Sequence, residues 1–184
     1  GREKCHHYWP TDSEPMYYGD LRVIILNETK VTSWVVSEFE VAKGDQIRRM
    51  THFHYTGWPD FGVPEKPQSL IRFVRMVRSR LGTEGGPIIV HCSAGVGRSG
   101  TYITLDRLLQ VLDHASSQEA TVDPYAIVNE MRRYRVWMVQ TEQQYVCIHS
   151  CLKCVIEGRE NEDQDHFDGQ ENAGFEPDEG IADN

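Results

Sequence analysis

The sequence predicts an α/β domain, in which a β-sheet is flanked by helices. Three β-rich segments come first, and their partial alternation of apolar and polar side chains is typical of antiparallel strands; they span residues 21–26, 31–41 and 48–55. Later segments carry apolar residues about 3.6 residues apart, which is the spacing of amphipathic helices. A chain of 184 residues is long enough to bury a core.

The strands are expected to be joined by tight turns, and Asn27-Glu28 is predicted to turn the first strand into the second. The first helix is predicted to begin at Pro67, because proline suits the first turn. Its apolar stripe is formed by Leu70, Phe73, Val74, Val77 and Leu81. The opposite face carries three arginines that are predicted to be solvated rather than ligand-binding: Arg72, Arg75 and Arg78.

Two further helices are predicted from their first residues. Asp123 is a suitable N-cap and Pro124 a suitable first residue for one of them. Thr141 is a fair N-cap for the last helix, and Gln144 lies three residues further on, as in a capping box.

The most informative segment joins a predicted strand to a predicted helix. The apolar run at residues 87–90 is typical of a short buried strand, and apolar residues recur at helical spacing from Thr101 onward. Between them lies the sequence HCSAGVGRSG, in which five residues separate Cys92 from Arg98. A helix start presents unpaired N–H groups and a partial positive charge, so this loop favours an anion.

The residue types of the loop suit a phosphate dianion. Gly95, Gly97 and Gly100 allow the backbone to curl so that successive N–H groups point inward. Arg98 can hold two phosphate oxygens with its planar fork. The same field would stabilise a thiolate at Cys92 and lower its pKa below the value of about 8.5 for a free thiol. The loop therefore predicts a phosphate site with a cysteine nucleophile at its floor.

Each feature also has a plainer interpretation. A lone cysteine after a strand is usually a small buried apolar residue, and a glycine-rich turn alone is weak support for a site. The nucleotide-binding loop is excluded, because no Gly-Lys-Ser/Thr follows. The combination favours catalysis, because His91, Ser93 and Ser99 lie in the same loop as the glycines, between the predicted strand and the predicted helix.

Three motifs follow one another along the chain. They are WPDFGVP at residues 58–64, the cysteine loop at 91–100, and QTEQQY at 140–145. In this order they resemble the mobile acid loop, the active-site loop and the glutamine loop of the protein tyrosine phosphatases, a likeness that extends over nearly all of residues 2–157. A finer likeness is to receptor-type members with a single catalytic domain, at residues 5–10, 53–55 and 139–149.

The resemblance implies a twisted, mostly mixed β-sheet flanked by helices. It assigns residues 1–156 to the C-terminal two-thirds of a tyrosine phosphatase catalytic domain. The N-terminal part of that domain, including a loop whose tyrosine stacks on the phosphotyrosine ring, has no counterpart here, so the chain is expected to be N-terminally truncated.

The resemblance also implies a two-step hydrolysis of phosphotyrosine. Cys92 attacks phosphorus to give a phosphocysteine, and Asp60 protonates the leaving phenolate from the opposite side. Arg98 binds the phosphate together with the backbone of the loop, which comprises Ser93, Ala94, Gly95, Val96 and Gly97. Taken alone, the segment around Asp60 is an ordinary turn beside a buried tryptophan.

Four more residues receive roles from the resemblance. Gln140 is implied to position the hydrolytic water and Gln144 to support it, which is compatible with a capping box. Ser99 either donates a hydrogen bond to the departing thiolate or caps the following helix. His91 is implied to orient the loop rather than to transfer a proton.

Two basic residues complete the predicted site. Lys4 either meets the acid loop or is an exposed lysine without a partner, and Arg135 either braces the cysteine loop from behind or lies on the surface. No metal and no other cofactor is expected, because Arg98 and the backbone amides supply the charge compensation.

Cysteine usage predicts reduced thiols in a cytosolic setting, because there are five cysteines without a framework spacing. A zinc site is the alternative use of the C-terminal group, but structural zinc usually takes ligands from a turn or from two elements. A packed helix face is therefore favoured for Cys147, Cys151 and Cys154, with His149 nearby.

Charge is distributed unevenly along the chain, whose net charge is −9. Residues 157–184 contain eleven acidic side chains and one arginine, whereas residues 1–156 contain seventeen acidic and eighteen basic ones. The C-terminal segment has few apolar residues, so it is predicted to be a disordered, solvated tail rather than a partner-binding one.

The expected partners are phosphotyrosine-containing proteins. No basic aromatic patch predicts nucleic-acid binding, and no stretch is long and apolar enough to predict a membrane span or a signal peptide, although the parent of a receptor-type fragment would be membrane-anchored. The expected location is cytoplasmic. A truncated or inactive pseudophosphatase that binds phosphopeptides is the alternative; the retained Asp60, Arg98 and Gln140 favour an active enzyme. A dual-specificity phosphatase is disfavoured by the tryptophan-containing acid loop.

Overall fold

Strands occupy the first part of the fold and helices the second. The structure is a computed structural model that describes residues 5–59, 62–81, 86–114 and 121–162. In these residues the strands are β1 Met16–Tyr18, β2 Leu21–Val31, β3 Trp34–Lys43 and β4 Gln46–Tyr55. The helices are α1 Pro67–Ser79, α2 Gly97–His114, α3 Pro124–Tyr134 and α4 Glu142–Ile156. The predicted α/β class is confirmed.

The four strands form one sheet in the order β1-β2-β3-β4, and neighbours pair antiparallel. The predicted turn at Asn27-Glu28 is wrong, because β2 continues through these residues after a β-bulge between Ile25 and Asn27. Glu28 instead pairs with Ser37, whose hydroxyl donates to the Glu28 carboxylate at 3.2 Å. The chain reverses after Val31, where two residues lead into β3.

The apolar run at residues 87–90 was predicted to be a buried strand, and this prediction is wrong. It has no strand pairing in the part of the chain that the structure describes, and Ile89 is 87% exposed. An isolated extended run is neither hydrogen-bonded nor covered unless a neighbouring strand lies beside it. Because this run pairs with no strand, the sheet has only antiparallel pairs among the described residues, although a mixed sheet was expected.

The helix starts follow the predicted local chemistry. Helix α1 begins at Pro67, and the Asp123 carboxylate accepts a hydrogen bond from the Ala126 N–H at 2.9 Å to cap α3. Thr141 and Gln144 form a complete capping box at the start of α4. Helix α2 begins at Gly97, four residues before the predicted start, so its N-terminal turn is part of the cysteine loop.

Helix α2 lies between the other helices, and its two sides fill two apolar clusters. The larger cluster joins α1, α2 and α4 through Leu70, Ile71, Phe73, Val74, Val77, Tyr102, Leu105, Leu109, Cys147, Cys151 and Cys154. The smaller one joins α2, α3 and α4 through Leu108, Val128, Val139, Ile148 and Leu152. The three cysteines of α4 are buried, which confirms the packed helix face.

The arginine face of α1 is less solvated than predicted. Arg78 forms an ion pair with Asp106 of α2, whose carboxylate is buried. Arg75 pairs with Asp113 at 3.1 Å and with Glu160 at 3.0 Å. These pairs connect α1 to α2 and to the segment that follows α4, because buried or half-buried carboxylates need a cationic partner.

The acidic segment was predicted to begin at residue 157. Its first part, up to Glu162, is described and contacts α1, where the Gln68 amide donates to the Arg159 carbonyl at 3.4 Å. Residues 163–184, on which the rest of the tail prediction falls, lie outside the described residues. Among the described helices, none is both long and apolar enough to span a bilayer.

Candidate active site

The cysteine loop surrounds a half-buried thiol at the N-terminus of α2. Burial raises the pKa of the Cys92 thiol, but hydrogen bonds outweigh this effect and the net shift is downward. They come from the Ser99 hydroxyl and from the backbone N–H groups of Ser99, Gly95 and Val96. Because these donors stabilise the anion, the thiolate form of Cys92 is favoured relative to that of a free cysteine.

Ser99 faces the sulfur from within the helix. Ser99 is 3% exposed, and its buried hydroxyl makes no hydrogen bond of normal distance and angle to any described residue. A buried hydroxyl without a partner is costly, and the Cys92 sulfur, whose pKa this hydroxyl lowers, is the acceptor available to it. This contact corresponds to the thiolate interpretation of Ser99 rather than to the helix-cap interpretation.

The back of the loop is held by Arg135. Its guanidinium donates to the Ala94 carbonyl at 3.0 Å. Gly95 has a φ of +69°, and a Cβ at this position would lie 3.3 Å from Nη2 of Arg135. The glycine thus permits both the left-handed backbone and the close approach of the arginine.

Arg98 connects the cysteine loop to the predicted acid loop. Its guanidinium donates to the Pro59 carbonyl at 2.9 Å and lies 5.6 Å from the centroid of the Trp58 ring. The Trp58 indole N–H in turn donates to the Gly62 carbonyl at 3.1 Å and so spans the base of the loop. Asp60 lies outside the described residues, as does Lys4.

The residues directly before the glutamine loop pack against the cysteine loop at Gly100. A Cβ at Gly100 would lie 2.4 Å from the backbone nitrogen of Val139, which is far closer than van der Waals contact allows. The Val139 N–H donates to the Val96 carbonyl at 3.0 Å. Only glycine at position 100 permits the two backbones to approach this closely.

Both predicted glutamines reach the N-terminal turn of α2. A Cβ at Gly97 would lie 3.2 Å from Oε1 of Gln140 and 2.9 Å from Nε2 of Gln144. The side-chain amide oxygen Oε1 of Gln144 accepts from the backbone N–H of Gln140 at 2.9 Å and from that of Thr141 at 3.3 Å. Gln144 therefore fixes the backbone that presents Gln140 to the cysteine loop.

His91 makes contacts that suit an orienting residue. Its Nε2 forms a hydrogen bond with the Tyr8 hydroxyl, and its Nδ1 lies 3.3 Å from the Cys92 carbonyl oxygen. Burial, then the neighbouring Cys5 and Tyr18, raise the pKa of Tyr8, so its hydroxyl keeps its proton. Sequence reasoning missed Tyr8 as part of the site, although it lies within the segment 5–10 that carries the finer resemblance.

A strained backbone segment precedes Gln140 and was also missed. Val139 has a φ of +58°, and Trp137 has a φ of +67°. The left-handed region is rarely adopted by β-branched residues, and each such residue costs on the order of 1–3 kcal/mol. Arg132 holds this segment through its side chain, which donates to the Met138 carbonyl at 2.9 Å and to the Val139 carbonyl at 2.8 Å.

Comparisons with known proteins agree with this arrangement. A family model described as protein-tyrosine phosphatase matches residues 1–154. The chain is 47% identical over 156 residues to receptor-type tyrosine-protein phosphatase H of Homo sapiens, a match that covers 83% of this chain and 14% of that protein. It is 41% identical over 168 residues to receptor-type tyrosine-protein phosphatase eta of Gallus gallus, covering 89% and 12% respectively.

A third relative is receptor-type tyrosine-protein phosphatase V of Rattus norvegicus, with 42% identity over 163 residues, 86% of this chain and 9% of that protein. The chain therefore spans about a seventh or less of the length of these relatives. It belongs to the protein-tyrosine phosphatase family.

Proposed function

We propose that this chain hydrolyses phosphotyrosine in proteins through a phosphocysteine intermediate. The observation that carries the proposal is the Cys92 thiol, whose pKa is lowered by the Ser99 hydroxyl and by three backbone N–H groups despite burial. The same inward-facing donors would bind the oxygens of a phosphate, so nucleophile and electrophile meet at one place.

In the first half-reaction, the Cys92 thiolate attacks phosphorus. The P–S bond forms as the P–O bond to the tyrosine breaks, and Asp60 donates its proton to the departing phenolate oxygen. Arg98 carries five N–H donors, so its bond to Pro59 leaves others to bind two phosphate oxygens. The guanidinium and the backbone amides stabilise the charge that spreads over the phosphoryl oxygens in the transition state.

In the second half-reaction, water attacks the phosphocysteine. An O–P bond forms, the S–P bond breaks, and the Asp60 carboxylate accepts the proton of the water. Gln140 orients that water; the role is supported by its Oε1, which lies 3.2 Å from the position of a Cβ at Gly97. Ser99 donates a hydrogen bond to the sulfur, which stabilises the thiolate as it departs.

The proposed partners are phosphotyrosine-containing proteins. The proposed location is the cytoplasmic side of a receptor-type parent protein, supported by the names of the relatives. In this chemistry the chain requires no metal, because Arg98 and the amides supply the positive charge.

The test compares the wild-type chain with Cys92→Ser and Asp60→Ala on phosphotyrosyl and phosphoseryl peptides. We expect release of phosphate from the phosphotyrosyl peptide alone, no turnover by Cys92→Ser, and retained binding with a large loss of kcat for Asp60→Ala. Cys5→Ser, an exposed cysteine variant, is the matched control and should keep full activity. Normal turnover by Cys92→Ser would refute the proposal, and binding without turnover by the wild-type chain would identify a phosphopeptide-binding module.

A further inference from the structure

We propose that Arg132 is a positioning residue for hydrolysis of the phosphocysteine, because it holds the strained backbone that presents Gln140 to the cysteine loop. The inference rests on the proposed function and adds to it a residue that acts through the backbone before Gln140 rather than on the reacting atoms. It concerns the second half-reaction and leaves the first to Cys92, Asp60, Arg98 and the backbone amides.

The segment before Gln140 would not adopt its conformation unaided. Val139 lies in the left-handed region at a φ of +58°, where its branched Cβ crowds the neighbouring backbone. A conformation of this kind persists only where surrounding contacts enforce it. The contacts at Val139 therefore determine where the next residue, Gln140, is placed.

Four contacts enforce the left-handed turn. The Val139 side chain is buried in the cluster between α2, α3 and α4, and its N–H donates to the Val96 carbonyl at 3.0 Å. Its carbonyl accepts from Nη2 of Arg132 at 2.8 Å, while Nε of Arg132 donates to the Met138 carbonyl at 2.9 Å. Two successive carbonyls are thus fixed by one planar guanidinium, a geometry that lysine cannot reproduce.

The consequence reaches the reaction through Gln140. Its Oε1 lies 3.2 Å from the position that a Cβ would take at Gly97, at the first turn of α2. Loss of the two hydrogen bonds from the Arg132 guanidinium would let the Val139 backbone relax from the left-handed region. The Gln140 side-chain amide would then be withdrawn from the cysteine loop. Since a misplacement of about 1 Å can cost about 100-fold in rate, the water-dependent step should slow while thiolate attack continues.

The experiment measures the two half-reactions separately by rapid acid quench with a phosphotyrosyl peptide. The dephosphorylated tyrosyl peptide formed in the first turnover reports attack by Cys92, and phosphate release reports hydrolysis of the phosphocysteine. For Arg132→Met we expect a nearly unchanged first turnover, a fall of about tenfold to 100-fold in phosphate release, and an accumulated phosphoenzyme. Arg132→Lys keeps the charge without the fork and should show the same accumulation in smaller measure.

Two further variants separate positioning from general destabilisation. Arg133→Met removes the adjacent, exposed arginine of α3 and should leave the partition between the two steps at the wild-type value. Val139→Gly adopts the left-handed region without strain, so in the Arg132→Met background it should restore part of the phosphate-release rate although it removes a buried side chain.

The outcomes distinguish this inference from the proposed function. If the wild-type chain forms no phosphoenzyme and releases no phosphate, the proposed function fails. If the wild-type chain turns over but Arg132→Lys and Arg132→Met slow both half-reactions equally, or neither, only the positioning role of Arg132 is refuted. Should Arg132→Met not fold, the relative rates of the two half-reactions in Arg132→Lys decide between these outcomes.

Discussion

The contact between Gly100 and the backbone directly before the glutamine loop allows a quantitative prediction for Gly100→Ala. The new Cβ would lie 2.4 Å from the Val139 nitrogen and 3.1 Å from the Met138 carbonyl carbon. Ordinary contact begins at 3.4 Å, so the two backbones must separate by 3.4 − 2.4 = 1.0 Å. Neither atom belongs to a flexible side chain, so the displacement must be taken up by the cysteine loop or by the glutamine loop.

Two effects should follow from this separation. Overpacking of a close backbone contact costs about 1–3 kcal/mol of unfolding free energy, which for a domain of this size lowers Tm by about 2–12 °C. Movement of Gln140 by about 1 Å relative to the cysteine loop should reduce kcat by about 100-fold. Gly97→Ala should lower the unfolding free energy less than Gly100→Ala does, since the nearest neighbours of Gly97 are the side-chain ends of Gln140 and Gln144.

The assay combines thermal unfolding with turnover of a phosphotyrosyl peptide. Gly86→Ala is the matched control, because a Cβ at Gly86 would meet nothing within 4 Å. The control should keep the wild-type Tm and kcat. If Gly100→Ala behaves like Gly86→Ala in both measurements, the close backbone contact at Gly100 does not limit stability or turnover.

Three further predictions follow from the described contacts. Ser99→Ala should raise the pKa of Cys92 and shift the pH profile of alkylation by iodoacetamide to higher pH; an unmoved profile would contradict the hydrogen bond to sulfur. Arg78→Met should lower unfolding free energy by about 1–3 kcal/mol, and more than Asp106→Asn does, because it leaves a buried carboxylate unpaired. Burial and three neighbouring histidines lower the pKa of His52 to about 4, below the usual histidine value of 6.5. The unfolded chain therefore binds more protons, and stability should fall as pH falls from 6.5 towards 4, by less than about 3 kcal/mol for a half-buried group. His52→Gln should flatten this part of the pH profile of Tm, and an unchanged profile would exclude His52 as its source.

Local chemistry made several elements of the fold predictable. Proline at position 67, the Asp123 cap and the Thr141–Gln144 capping box mark helix starts through contacts within a few residues. The error at Asn27-Glu28 has a tertiary cause, since pairing of β2 with β3 continues through residues that favour turns when considered alone. The exposed run at residues 87–90 has the composition of a buried strand, but burial depends on a neighbour that the run itself does not specify.

The candidate site shows the same division. The residue types around Cys92 indicate phosphate chemistry, because few other uses require a thiol, glycines and an arginine together. The support for that loop comes from distant positions: Tyr8 is 83 residues from His91, and Arg135 is 41 residues from Ala94. Arg132 and the left-handed Val139 were missed because nothing in a valine or an arginine indicates the backbone conformation it serves.

The proposed mechanism requires that the sulfur of Cys92 accept the phosphoryl group. Its most direct test is mass spectrometry of the acid-quenched chain after mixing with a phosphotyrosyl peptide, followed by peptide mapping of the modified residue. We expect a phosphoryl group on Cys92 that appears with the first turnover and disappears as phosphate is released. Steady release of phosphate from a chain in which Cys92 is never modified would contradict the mechanism.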